Sequence, residues 1–450
     1  MLSSPNVRRR WILVPLLILS FGVALPAGAD GPVLHELVPP DPNEDVSLAA
    51  TTLDGNLPAA LDTPSGVAEA PDPRKPPDLG HIYTGGTTDD SPDDTLEPDR
   101  DTRQPKIENY DDPFSPSTAP FKRLRAYDSV DERYTLRVAR KAMSQVPIGG
   151  EVAATDEAFY GDMSVELLAD DLVRVPSVGP GTRVIKMHVE PDSKVSLLAD
   201  GADNWFLRGS EHKRVRVVMQ LAIPRATFGS DFRDVDWSQL GGLPAFAHHP
   251  AEAEAVFAAV GINRGMRPKD VVGKMVEYFR AFVPTNEPLR DGGDVYKDVA
   301  LSKKGVCRHR AFAFMVTALE IGIPARMVVN EAHAWVEVFD GELWHRIDLG
   351  GAALDLDQDL DPTRPQHKPP DDPYAWPDNQ AQDNSGQRLA DREHQQPDNN
   401  GTSDPSDPSS DPNGSSVPDD TSDPSNPKPS DPSLPASTVE LELVEKSVKR

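Results

Sequence analysis

The chain has 450 residues, a formal net charge of −27, 46 prolines and a single cysteine. An acidic balance of this size disfavours nucleic acid, which rewards basic patches. One cysteine rules out an intramolecular disulfide, so a thiol in this chain is a chemical group before it is a structural one.

Residues 1–29 have the pattern of a signal peptide: Arg8-Arg9-Arg10, an apolar run from Trp11 to Leu25, and Ala27-Gly28-Ala29 before Asp30. A membrane anchor is the alternative, but Pro15 interrupts the run, which falls short of the ~20 residues that span a bilayer. No later stretch is long and apolar enough to cross, so the expected product is exported, periplasmic or extracellular, with no membrane span after cleavage. Residues 30–123 are rich in Pro, Asp, Gly and Thr without periodicity, and are expected to be a disordered acidic linker.

Over 124–228 the texture changes to short alternating runs: 134–138, 163–167, 172–175, 184–189, 195–198 and 215–223. Turn residues such as Gly179-Pro180-Gly181 and Asp200-Gly201 separate them. About six or seven such strands predict an antiparallel, sandwich-like β-domain. His188 and His212 fall within strand patterns and read as solvated strand-face residues.

Over 229–356 the pattern becomes largely helical. Ala251 to Val260 is apolar on much of its surface. Pro268 opens a second helix with Val271, Val272, Met275, Val276, Phe279 and Phe282 inward. His248 and His249 precede these helices without a Cys or carboxylate at zinc-like spacing, and no metal or cofactor is expected. Asp291-Gly292-Gly293-Asp294 reads as a turn. Cys307 then starts a third helix, with Ala311, Phe314, Met315, Ala318 and Leu319 on one buried face and Gly322 and Pro324 ending it. In a first helical turn, free amides and the dipole favour a thiolate and can hold an oxyanion. Arg308 and Arg310 add positive charge. The alternative for a lone cysteine is a small buried hydrophobe.

Two alternating strands follow, joined at Asp340-Gly341, a strong two-residue hairpin signal. With those two residues as the turn, Phe339 faces Glu342, Trp335 faces Arg346 and His333 faces Asp348. Opposed residues share a face with Cβ atoms roughly 4.5–5.5 Å apart, so a carboxylate reaches one imidazole nitrogen and leaves the other for a thiol. Cys307, His333 and Asp348 are thus the candidate nucleophile, base and orienter. Trp335 and Trp344 share that face and are candidate cleft walls or plain core. His309 and His345 point elsewhere and read as structural.

The runs Gly-Val-Cys-Arg-His-Arg-Ala-Phe-Ala, Gly-Ile-Pro-Ala-Arg, His-Ala-Trp-Val-Glu-Val and Trp-His-Arg-Ile-Asp, in this order, resemble the core domain of the transglutaminase-like superfamily. The resemblance covers roughly 252–355. It departs from the family at Asp348-Leu349, where Asp-Pro is frequent. It implies an α+β, papain/transglutaminase-like core behind the β-rich domain. It also implies Cys307 as nucleophile, His333 as base and Asp348 as its orienter. Members include protein crosslinkers, proteases, other amidases and forms without the cysteine.

Residues 357–435 are dominated by Asp, Pro, Ser, Asn and Gln with repeated Ser-Asp-Pro, and 357–450 is expected to be an extended solvated tail whose last alternating run, 438–444, could add a strand to a sheet edge. The function expected is attack of the Cys307 thiolate on a peptide or protein amide in the cell envelope or outside, through a thioester. Resolution by water, as in a protease or amidase, is favoured. Resolution by an amine, as in a crosslinker, and a non-catalytic binding module on the same fold are the alternatives. The sequence does not set the oligomeric state.

Overall fold

The computed structural model describes residues 57–72, 81–85, 95–107, 109–241, 249–356, 360, 364–378, 380 and 383–392. The expected signal peptide, His248 and the repeats and last alternating run of the tail lie outside these residues. Strands β1 to β15 are Ala60–Thr63, Gly66–Glu69, Ile82–Tyr83, Thr95–Leu96, Phe114–Ser115, Arg125–Tyr127, Ser129–Val130, Leu136–Arg137, Ser144–Gln145, Asp156–Leu167, Val173–Val175, Arg183–Glu190, Val195–Ala199, Trp205–Gly209 and Lys213–Pro224. Helices α1 Pro250–Val260, α2 Pro268–Arg280, α3 Val295–Ser302 and α4 Cys307–Ile321 follow. Then come strands β16 Ala325–Val329, β17 Ala334–Phe339 and β18 Trp344–Ile347, and helix α5 Ser385–Arg392. The chain is α+β, with a sheet-rich region ahead of the helices.

One sheet has the order β12-β15-β10-β3, with β5 also on β10; another has the order β11-β14-β13-β9. Phe159, Met163 and Val165 of β10 and Val217 and Leu221 of β15 meet Val173, Leu197, Trp205 and Leu207 of the second sheet in one core. These inward residues occupy alternate positions, as the pleat requires. On the other face of β10, Ala158 and Tyr160 pack with Val218 under Leu61 and Ala68 of the β1–β2 hairpin and Leu57 just ahead of it. Burial on both faces removes the alternation from the first half of β10, so the sequence shows only its second half. The same holds for β14, where Trp205, Phe206 and Leu207 are all buried.

The linker expected over 30–123 is corrected within its described part. β1–β2 forms a hairpin, and β3 and β5 pair with β10. These pieces are fixed by individual contacts, which leave no periodic signature. The Asp112 carboxylate, for example, accepts from the amides of Phe114, Thr118 and Ala119 at 3.1, 2.7 and 3.1 Å. The tail is corrected likewise over 364–378 and 383–392. There Arg280 pairs with Asp372 and Arg310 with Asp383, each at 2.6 Å.

The second layered unit is a sheet of order β18-β17-β16-β6, with α4 packed on β16 and β17. Its edge strand β6 comes from the stretch assigned by sequence to the β-rich domain. α4 is not an amphipathic helix with one buried face. Thirteen of its fifteen residues are buried, because α1, α2 and α3 cover the sides the sheet does not. The polar residues this engulfs are satisfied: Thr317 Oγ1 donates to Ala313 O at 2.7 Å and meets Tyr296 Oη at 2.8 Å. The sequence reading omitted α3. Its signal was Asp294, whose side chain caps the helix by accepting from Lys297 N at 2.8 Å. No helix among the described residues is long and apolar enough to cross a membrane.

Candidate active site

The hairpin that was to align His333 with Asp348 turns one residue later than expected, which slides the pairing of its arms by two. Phe339 pairs with Trp344 and Glu337 with Arg346. The turn is centred on Gly341 and Glu342, with Gly341 at φ +96°. Asp340 stays outside it and holds it: its Oδ1 accepts from Glu342 N at 2.9 Å and Leu343 N at 2.8 Å. A slide of two residues preserves every face, since side chains alternate with period two. His333 and Asp348 therefore become diagonal rather than opposed neighbours and still meet. His333 Nε2 lies 2.8 Å from Asp348 Oδ1.

Three devices fix this pair. Asn330 Oδ1 accepts from the amides of Ala332 and His333 at 2.9 and 2.8 Å, while its Nδ2 donates to the carbonyls of Pro120 and Lys122. Buried Arg280 donates from Nε and Nη2 to the Asp348 carbonyl at 3.0 and 2.8 Å. Asp348 Oδ1 also accepts from Gly350 N at 2.8 Å. None of these partners was singled out from sequence. Asn330, three residues ahead of the histidine, and the pair Gly350-Gly351 were the available signals.

Cys307 is the first residue of α4, with Val306 as its N-cap. Its amide donates to Gly351 O at 3.0 Å. This corrects one expectation: the Cys307 N–H is already engaged and is not free for an oxyanion. Gly351 has φ +77°, and a Cβ there would stand 2.7 Å from Cys307 N. Gly351→Ala is expected to cost about 1–3 kcal/mol of stability through backbone strain. It should also push α4 off the His333 side; a thermal melt and the alkylation rate of Cys307 measure the two effects.

Electrostatics tie the three residues together. Burial pushes the His333 imidazole toward its neutral form, but the Asp348 carboxylate, with a smaller contribution from Cys307, outweighs this and raises the pKa to about 10. Burial likewise opposes ionisation of Asp348, and His333 and the Gly350 amide hold its pKa below the ordinary value. The thiol is near enough to act on the ring, yet no hydrogen bond of ordinary length and angle joins them. His333 Nδ1 has no hydrogen-bond partner among the described residues. Loose nucleophile–base contacts of this kind tighten when substrate binds.

The two tryptophans part company. Trp335 packs beside His333, with ring centroids 6.1 Å apart, and against Phe121 at 5.5 Å. Trp344 does not wall the site. It lies at the turn end of the hairpin, on Phe339, with the Arg326 guanidinium 3.8 Å from its ring. His309 bonds Asp99 Oδ1 at 3.1 Å and His345 bonds Asp340 Oδ2 at 2.7 Å, so both have structural partners. His249 stacks on Tyr134 at 3.8 Å. No group of His, Cys, Asp or Glu among the described residues is arranged to hold a metal ion.

Residues 259–349, which run from α1 through β18 and include all three candidate residues, match the core of the transglutaminase-like superfamily. The chain carries a transglutaminase-like core. Comparison with curated proteins gives no match. Among solved structures, the periplasmic domain of TgpA from Pseudomonas aeruginosa bound to ethylmercury is similar at 16% identity and a TM-score of 0.33, over 56% of this chain and 90% of that one. A second structure of the same domain is similar at 17% identity and a TM-score of 0.33, over 51% and 81%. In this transglutaminase-like core the matched segment ends at Leu349, so Gly351, whose carbonyl accepts from the Cys307 amide, lies just past it.

Proposed function

We propose that the chain is an exported thiol enzyme that cleaves amide bonds of peptides or proteins, with Cys307 as nucleophile, His333 as base and Asp348 as its orienter. The observation that carries this reading is the buried 2.8 Å bond from His333 Nε2 to Asp348, which leaves Nδ1 as the nitrogen for the thiol. Export is inferred from the N-terminal segment.

His333 accepts the Cys307 proton, and the Asp348 carboxylate stabilises the imidazolium. The thiolate attacks the amide carbon and forms a C–S bond, and the carbonyl electron pair moves to oxygen. That oxyanion draws on a donor other than the Cys307 amide. When the oxyanion collapses, the C–N bond breaks and His333 returns its proton to the departing amine, leaving a thioester. Water, deprotonated by His333, then attacks the thioester and regenerates the thiol. Hydrolysis is the favoured second step because an amine acceptor needs a binding slot of its own.

The test incubates the protein and its Cys307→Ala variant with a glutamine-bearing protein and a labelled primary amine. Release of peptide or acid by the wild type alone supports the hydrolase. Incorporation of label supports amine transfer in its place. Neither outcome, with Cys307 alkylating like a free thiol, leaves a binding module.

A further inference from the structure

The three candidate residues are closed off from solvent: Cys307 is 5% exposed, His333 2% and Asp348 9%. No peptide carbonyl reaches the sulfur in this arrangement. On the Asp348 side, two stretches of the chain's own sequence beyond the core, 364–378 and 383–391, lie beside Asp348 and against Phe121, the neighbour of His333.

The first stretch enters as an extended strand. Ser117 N donates to Pro365 O at 2.7 Å, and His367 N donates to Ser117 O at 2.8 Å. Pro370 then lies over Gly229, where a Cβ would come within 2.7 Å of it. Asp372 Oδ2 accepts from Arg280 Nη2 at 2.6 Å, and the Trp376 ring sits 4.0 Å from the same guanidinium. In the second stretch Asp383 Oδ2 accepts from Arg310 Nη1 at 2.6 Å. The helix that follows sets Gly386 against the Phe121 ring, which meets the His333 ring edge-on at 5.5 Å. Leu389 packs in one cluster with Ala332, the residue before His333, and with Ala353.

Arg280 and Arg310 make this groove more than a passive resting place. Each is held from behind by main-chain carbonyls: Arg280 by Asp348, and Arg310 by Leu349 and Phe282. Their guanidiniums therefore stay in position whatever lies in front of them. What lies in front is a carboxylate in both cases. A pair of fixed arginines beside an edge that bonds an extended backbone is a recognition surface for an acidic peptide.

We infer that the groove from Ser117 past Arg280 to Arg310 is a peptide-binding cleft for extended, aspartate-bearing segments. The described stretches 364–378 and 383–391 are its resident occupants and hold the site shut from the Asp348 side. The inference builds on the reading of Cys307 as nucleophile, but it is tested through access to the thiol and so fails or stands apart from turnover.

Cys307 is the sole thiol, so its alkylation is unambiguous in the full chain. The rate with iodoacetamide is measured for wild type, for Asp372→Asn/Asp383→Asn, and for Leu389→Ser, which loosens the cover without touching either arginine. The wild type is expected to react well below the rate of a free thiol, and both variants on the order of tenfold faster. A synthetic peptide of sequence 364–391 added to the Asn variant should restore protection, and the same peptide with Asn at both aspartates should not. The inference is overturned if the wild type reacts as a free thiol, if both variants react at the wild-type rate, or if the two peptides protect equally.

Discussion

His333→Gln is expected to lower amide turnover by at least roughly 10³-fold with the fold retained, the loss typical of a missing member of a nucleophile–base pair. Glutamine can still meet Asp348, but it cannot take the Cys307 proton. Asp348→Asn should cost roughly 10²–10⁴-fold, because the amide no longer stabilises an imidazolium or fixes Nε2 as the protonated nitrogen. Steady-state kinetics on a peptide that the wild type cleaves measures both, and a His333→Gln enzyme within tenfold of wild type would remove the base assignment. The same pair sets a pH dependence of stability. His333 has its pKa raised from 6.5 to about 10, so its contribution is full below 6.5 and fades as pH rises toward 10. Asp348 has its pKa lowered, so its contribution is full above the ordinary carboxylate value of 3.8 and is lost in acid. The stability difference between wild type and His333→Gln should therefore be largest between these ordinary values and shrink on the alkaline side, as denaturant melts across pH would show.

Arg123→Met is expected to destabilise the chain by about 3–5 kcal/mol, the cost of leaving a buried charge unpaired. Arg123 Nε lies 2.9 Å from Glu337 Oε1, with side chains 1% and 0% exposed. Arg123 also donates to the carbonyls of Ala202 and Asp203. It thereby joins the turn before β14 to the central strand of the sheet that carries His333. Arg326, 3.8 Å from Glu337, recovers only part of the loss, since burial already disfavours its own charge. The double variant Arg123→Met/Glu337→Met should cost less than the sum of the two single changes, because it leaves no orphaned ion. Urea denaturation of the four proteins measures this coupling.

Local chemistry was legible in the residues themselves. Cys307 at the head of a helical pattern, a hairpin with His333 on one arm and Asp348 on the other, and the proline and glycine stops all follow from rules that act over a few residues. Even the misplaced turn left His333 and Asp348 on one face, because period two forgives a slide of two. The sequence did not reveal features set by partners far along the chain. Strands buried on both faces, such as the start of β10, lose the alternation that would mark them. The segments 57–123 and 364–392 looked like spacers, because single contacts such as Arg280 with Asp372 carry no periodicity.

The amino-acid sequence by itself determined on which elements the candidate residues Cys307, His333 and Asp348 sit, since helix starts, strand faces and turn residues are local properties of the backbone. Only the tertiary structure decided that Gly351 occupies the Cys307 amide, that Arg280 and Arg310 hold the Asp348 loop by its carbonyls, and that Asp372 and Asp383 from beyond the core pair with those two arginines. Each depends on side chains brought together by burial across long sequence separations, where no local pattern records the meeting.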